Sequence, residues 1–87
     1  MTFEELVDKE RTYQDKLWGE QNHPPFTWFA ILAEEIGELN SAWLHEEFNI
    51  FPNTSASEHG EDIEKELIHC AAILKAMYES GKRNNWL

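Results

Sequence analysis

The 87-residue chain has one cysteine, Cys70, so it can close no disulfide within itself. A lone thiol fits a reducing compartment, and a cytoplasmic protein is the expectation. Glycine and proline are scarce, with 4 and 3 copies, and most of them fall between Gly19 and Pro25 or at Pro52, which leaves long stretches free to be helical. Basic residues are few as well: 7 Lys and Arg stand against 17 Asp and Glu, for a net charge of -10. So acidic a surface repels nucleic-acid phosphates and anionic lipids, so neither nucleic acid nor a membrane is an expected partner. The opening MTFEELVDKERTYQ is charged from Glu4 onward and holds no apolar run, which argues against a signal peptide or a membrane span. No run of alternating polar and apolar residues marks a half-buried strand.

What is present is helical patterning in a composition ordinary for a globular protein, 41% hydrophobic and 28% charged. The reading is a single all-α domain over residues 1–87. A first helix is expected from about Phe3 to Leu17 or Trp18, with Thr2 and Glu5 at capping-box spacing and Phe3, Leu6, Val7, Tyr13 and Leu17 as an imperfect apolar stripe. GEQNHPP breaks it, and Pro25 can open the next helix, which runs to about Phe48. NIFPNTSAS reads as a loop. A third helix is expected from Ser57 or Glu58, with Ser55 and Glu58 offering a second capping box, to about Ser80, with Gly81 as C-cap and Lys82 and Arg83 facing the negative end of its dipole. Two long helices and a shorter one make a thin unit with a marginal core. A helical bundle completed by oligomerisation, as a homodimer or homotetramer, is therefore expected.

The glutamates of LAEEIGELNSAW are out of place for a plain core helix. At 100° per residue, Trp28, Leu32, Ile36, Leu39 and Trp43 form a stripe about 80° wide. Glu35 falls inside its edge, and Glu34, Glu38 and His45 lie along one flank. On the third helix Ile63, Leu67, Cys70, Ala71, Leu74, Met77 and Tyr78 form the stripe, and Asp62, Glu66 and His69 form the flank. If the stripes pack, the flanks meet, and carboxylates so close raise one another's pKa. A hard divalent cation, Mg²⁺ or Mn²⁺, relieves that repulsion. A solvated acidic flank would show the same spacing.

Glu34-Glu35-Ile36-Gly37-Glu38 matches the EExxE motif of the MazG-like all-α nucleoside triphosphate pyrophosphohydrolases. Glu66-Leu67-Ile68-His69 stands where that family carries ExxD, and the lead-in ERTYQDKLWGEQNHPPFTWFAILAEE, with its Arg-x-x-Gln and Trp-Gly pairs, is similar too. The resemblance spans about residues 10–80. It implies hydrolysis of a nucleoside triphosphate to monophosphate and pyrophosphate in the service of the nucleotide pool, with Mg²⁺ as cofactor. It implies Glu35, Glu38 and Glu66 as metal ligands, with Glu34 orienting or deprotonating the water or binding a second metal. His69 departs from the family's Asp. A neutral imidazole ligates Mn²⁺ readily and Mg²⁺ poorly, so His69 is either a ligand that shifts metal preference or a residue that weakens catalysis. A site that uses Asp62 instead is a further alternative, and lost catalysis would make the chain a catalytically weak nucleotide- or metal-binding regulatory protein.

A triphosphate also needs cations and a slot for its base. Lys9 and Lys16, a heptad apart, lead the candidates for the phosphates, ahead of Arg11, Lys65, Lys75, Lys82 and Arg83. Trp18, with Gln21, Asn22 and His23, is the candidate for the base, and could equally anchor its loop. Trp28 and Trp43 are expected in the core or at an interface, Trp86 against a partner subunit, and Cys70 as a small buried residue without nucleophilic use.

Overall fold

Thr2 sets the first helix in motion. Its Oγ1 accepts the Glu5 N–H at 3.1 Å, and its own N–H donates to Glu5 Oε1 at 3.1 Å, so the expected capping box is present. The computed structural model describes residues 1–48 and 56–87, with no account of the side chains at 45–48 and 56–62. The described residues form α1 (Phe3–Trp18), α2 (Pro25–Phe48) and α3 (Ala56–Arg83), and no strand. The expected Ser55 cap and the side chains of His45, Glu58 and Asp62 lie outside the described residues.

Gly19 ends α1 at φ +71°, where side chains other than glycine are strained, and its N–H donates to Asp15 O at 2.8 Å. Pro25 opens α2 as expected, and Pro24 O accepts the N–H groups of Thr27 and Trp28. The third helix does not stop at Ser80. It runs on to Arg83, and Gly81 lies within it. The stop comes at Asn85, at φ +63°, with Trp86 N–H donating back to Gly81 O at 3.0 Å, the six-to-one bond of a Schellman cap. Gly81 serves the tail instead of the cap: a Cβ there would lie 2.6 Å from Leu87 Cδ1.

Trp28, near the start of α2, packs with Ile73, Ala76 and Met77 late in α3, and Glu35 further along α2 meets Glu66 and His69, so α2 and α3 run antiparallel. α1 packs on α3, and among the described residues its backbone makes no close approach to α2. Trp28 is fully buried, with His23 edge-on to its ring at 5.0 Å. Trp86, expected against a partner subunit, instead packs on this same cluster, because the Schellman turn folds the tail back.

The apolar stripes are only partly the core. On α3 the buried side chains are Cys70, Ala72, Ile73, Ala76 and Ser80, while Leu67, Leu74 and Tyr78 are exposed. On α2, Ile36 and Trp43 are half exposed. The reason is size: Ala72, Ala76 and Ser80 let the neighbouring helices approach α3 closely, so the chain's own contacts take the face of small residues and leave the larger apolar stripe beside it. On α1 the buried positions are Val7 and Gln14, and Phe3, Tyr13 and Leu17 are exposed. The molecule is accordingly thin, 45 × 29 × 20 Å, and its radius of gyration of 14.6 Å exceeds the roughly 12 Å of a compact domain this long.

Candidate metal centre

Helix-on-helix packing brings the two acidic flanks together where α2 crosses α3. One ligand atom each from Glu35, Glu66 and His69 lies within 4.8 Å of the others. His69 Nδ1 faces Glu66 Oε2 at 3.6 Å and Glu35 Oε2 at 3.8 Å, while its Nε2 faces Glu10 Oε1 on α1 at 3.7 Å. The imidazole therefore sits among three carboxylates, one from each helix.

These carboxylates carry a visible cost. Glu35 Oε2 and Glu66 Oε2 are buried without a hydrogen-bond partner. Burial pushes the Glu35 carboxyl above its usual range; the Glu38 charge adds to this, and His69 opposes it. Burial raises Glu66 likewise, with His69 opposing and the charges of Glu38 and Glu35 reinforcing. The Cys70 thiol beside them is raised by burial and by the same three glutamates, which makes it a poor nucleophile, in keeping with the expectation for it.

The remaining predicted residues divide. Glu38 is exposed, yet its charge reaches both Glu35 and Glu66, so it borders the cluster. Glu34 is exposed too, and its charge acts weakly on Glu35. Lys9 lines a cleft of about 530 Å³ between α1 and α3 with Leu6, Tyr13, Ile68 and His69. Trp18 lines an adjoining cleft of about 550 Å³ whose walls include Gln14, Gln21, His23, Glu35 and His69. The two clefts share Glu10, Tyr13, Lys65 and His69 and so form one groove past the cluster. Lys16 lines neither cleft, although its heptad relation puts it on the same face of α1 as Lys9, two turns further along.

Three of the other cations are committed elsewhere. Arg11 pairs with Asp15 and Glu79, Lys75 with Asp8, and Arg83 with Glu20. Arg83 also donates to Gln21 O at 2.9 Å and to Asn22 Oδ1 at 3.0 Å, which fastens the loop after Trp18 to the end of α3. Asn22 is thereby taken out of the base slot. Lys9 and Lys65 are in no ion pair among the described residues and border the groove.

Sequence reasoning missed Glu10 and Gln14 as groove residues, and it left Lys65, which borders both clefts, among the secondary phosphate candidates. Glu10 and Gln14 share the buried face of α1 with Val7, at the three-to-four-residue spacing that singled out Glu35, and that signal could have found them. Comparison of the chain with protein-family models, with curated proteins and with solved structures finds no match.

Proposed function

We propose that the protein is a metal-dependent nucleoside triphosphate pyrophosphohydrolase of the MazG-like kind, acting in nucleotide-pool housekeeping as a homodimer or homotetramer. The observation that carries this reading is the convergence of Glu35, Glu66 and His69, with two buried carboxylate oxygens left without a partner. An oxygen-and-imidazole set of this kind fits Mn²⁺, and Mg²⁺ less well. When bound, the ion would supply charge neutralisation for the phosphates and for the pyrophosphate leaving group.

The chain's own residues would do the rest. Glu35, Glu66 and His69 hold the cation, with Glu38 at the open edge. Glu10, whose Oε1 lies 3.7 Å from His69 Nε2, would orient the imidazole so that Nδ1 is turned toward Glu35 and Glu66 to ligate. Lys9 and Lys65 meet the negative charge of the triphosphate, and Tyr13 and Trp18 offer aromatic faces to the base. Glu34 takes the proton of the water that attacks the α-phosphorus; the new P–O bond forms as the bond to the β-phosphate oxygen breaks, and pyrophosphate leaves.

A second reading draws on the same histidine. A positive charge on His69, within 3.8 Å of three carboxylates, would offset part of the cluster's charge without a metal, and the chain would then be a regulatory binder of nucleotide with little turnover. A product assay separates the two. Incubated with a panel of NTPs and dNTPs and Mg²⁺ or Mn²⁺, the first reading yields monophosphate and pyrophosphate, and Glu35→Gln loses that activity. Diphosphate and orthophosphate would contradict attack at the α-phosphorus, and no turnover with either metal would favour the regulatory reading.

A further inference from the structure

The buried face of α1 holds an amide. Its buried residues are Val7 and Gln14, and Gln14 is 6% exposed. An amide taken from water must find partners, or its desolvation goes uncompensated. Gln14 finds them on its own helix: its Oε1 accepts from Arg11 Nη1 at 3.1 Å, and its Nε2 donates to Glu10 Oε2 at 3.1 Å. The partners fix which way the amide points. A guanidinium only donates and an ionised carboxylate only accepts, so the oxygen must face Arg11 and the nitrogen Glu10. Beyond Arg11 the contacts return to α3, where Glu79 Oε1 lies 3.4 Å from Arg11 Nη2; Asp15 Oδ1 lies 3.1 Å from the same nitrogen. Beyond Glu10 they reach His69 on α3, whose Nε2 lies 3.7 Å from Glu10 Oε1. Both ends of the network rest on α3, so the seating of α1 and the direction of Glu10 are set together.

We propose that Gln14 is a positioning residue for the metal centre, itself oriented by Arg11. By holding one oxygen of Glu10, Gln14 keeps the other turned to His69, and a ligand backed by a fixed group is presented in one direction. The proposal rests on the reading of Glu35, Glu66 and His69 as a cation site. Three observations separate this role from packing. First, although Gln14 lines the groove, its oxygen and its nitrogen both have partners within the chain, so the amide is not held out to a ligand. Second, side-chain hydrogen bonds return little more than the desolvation they cost, whereas an apolar side chain of the same length would bury apolar surface in the same place. The amide therefore contributes direction more than stability. Third, the backbone of α1 makes no close approach to α2 among the described residues, and Glu10 is the α1 side chain that faces His69, so α1 bears on the centre through the group that Gln14 holds.

Calorimetric titration of Mn²⁺ into the metal-free chain, beside thermal melts in chelator, tests it. Gln14→Met keeps the length of the side chain and the net charge and removes the amide. Its Kd for Mn²⁺ should rise about 5-fold, short of the roughly 10–100-fold expected for a group directly behind a ligand, while its Tm in chelator holds or rises. On a Glu10→Ala background the same substitution should leave Kd unchanged, because Gln14 acts through Glu10. A residue that only packs would do the reverse, lowering Tm and leaving Kd alone. Equal Mn²⁺ affinity in wild type and Gln14→Met overturns the proposal while the metal-centre reading stands. A rise in Kd that persists in full on the Glu10→Ala background overturns it too, and the lack of a saturable site in wild type overturns both. Where Gln14→Met fails to fold, Gln14→Asn takes its place: its amide is one carbon too short to join Arg11 to Glu10, and an unchanged Kd overturns the proposal in the same way.

Discussion

Replacing Glu66 by Gln should make the metal-free protein more stable and the metal-loaded protein less so. Ligand atoms of Glu35 and Glu66 lie within 4.8 Å, where two like charges repel by about 3.5 kcal/mol at an effective dielectric of about 20, and by under about 1 kcal/mol in bulk water. The two side chains are 24% and 13% exposed, so the repulsion falls between these limits, and the attraction of His69 for Glu66 offsets part of it. A net gain of about 1 kcal/mol for the metal-free variant, or about 4–8 °C in Tm, follows. Wild type should recover more on loading, since a cation at one hundred times its Kd contributes about 2.7 kcal/mol. The variant should show little of that rise. The pH dependence has a definite sign. Both carboxyls titrate above their unfolded range, so the folded state binds protons more tightly than the unfolded one. Their penalty is full above the folded pKa values and fades as pH falls through them, so metal-free wild type gains stability on mild acidification, and Glu66→Gln gains less. Calorimetry at fixed protein concentration, in chelator and then in Mn²⁺, reads every one of these quantities. A variant less stable than wild type in chelator, with an undiminished response to Mn²⁺, would refute the reasoning.

His69→Asp should raise the ratio of Mg²⁺- to Mn²⁺-supported activity, because it exchanges an imidazole for a hard, charged oxygen donor; an unchanged ratio would remove His69 from the ligand set. Glu10→Gln should weaken Mn²⁺ binding by about 10-fold or more while leaving helicity intact, as expected when the group orienting a ligating histidine is lost, and isothermal titration beside circular dichroism checks both. Trp28→Ala should cost about 3–5 kcal/mol, because a fully buried indole at the centre of a small core leaves a cavity that few neighbours can fill; denaturant melts showing under about 1 kcal/mol would place the core elsewhere.

Much of the fold was legible because its signals are local. The Thr2–Glu5 box, the GEQNHPP break and Pro25 mark three helix boundaries through chemistry within a few residues. The end of α3 was misjudged because Gly81 has the right identity for a cap, while the actual stop depends on Asn85 and on a tail that folds back over the helix. The meeting of Glu35 with Glu66 and His69 followed from helical phase, but which face of α3 the chain would bury for itself did not. Periodicity reports the sum of all apolar contacts and cannot divide them between a chain's own core and a partner. Glu10 was overlooked because α1 was read for its apolar residues, although its buried face is largely polar.

The central claim is that Glu35, Glu66 and His69 make one divalent-cation site. Calorimetric titration of Mn²⁺ into the metal-free protein, beside Glu66→Gln, tests it most directly. The account predicts one saturable site per chain in wild type, lost in the variant. Weak, unsaturated binding of equal strength in both proteins, as any acidic surface would give, would contradict it.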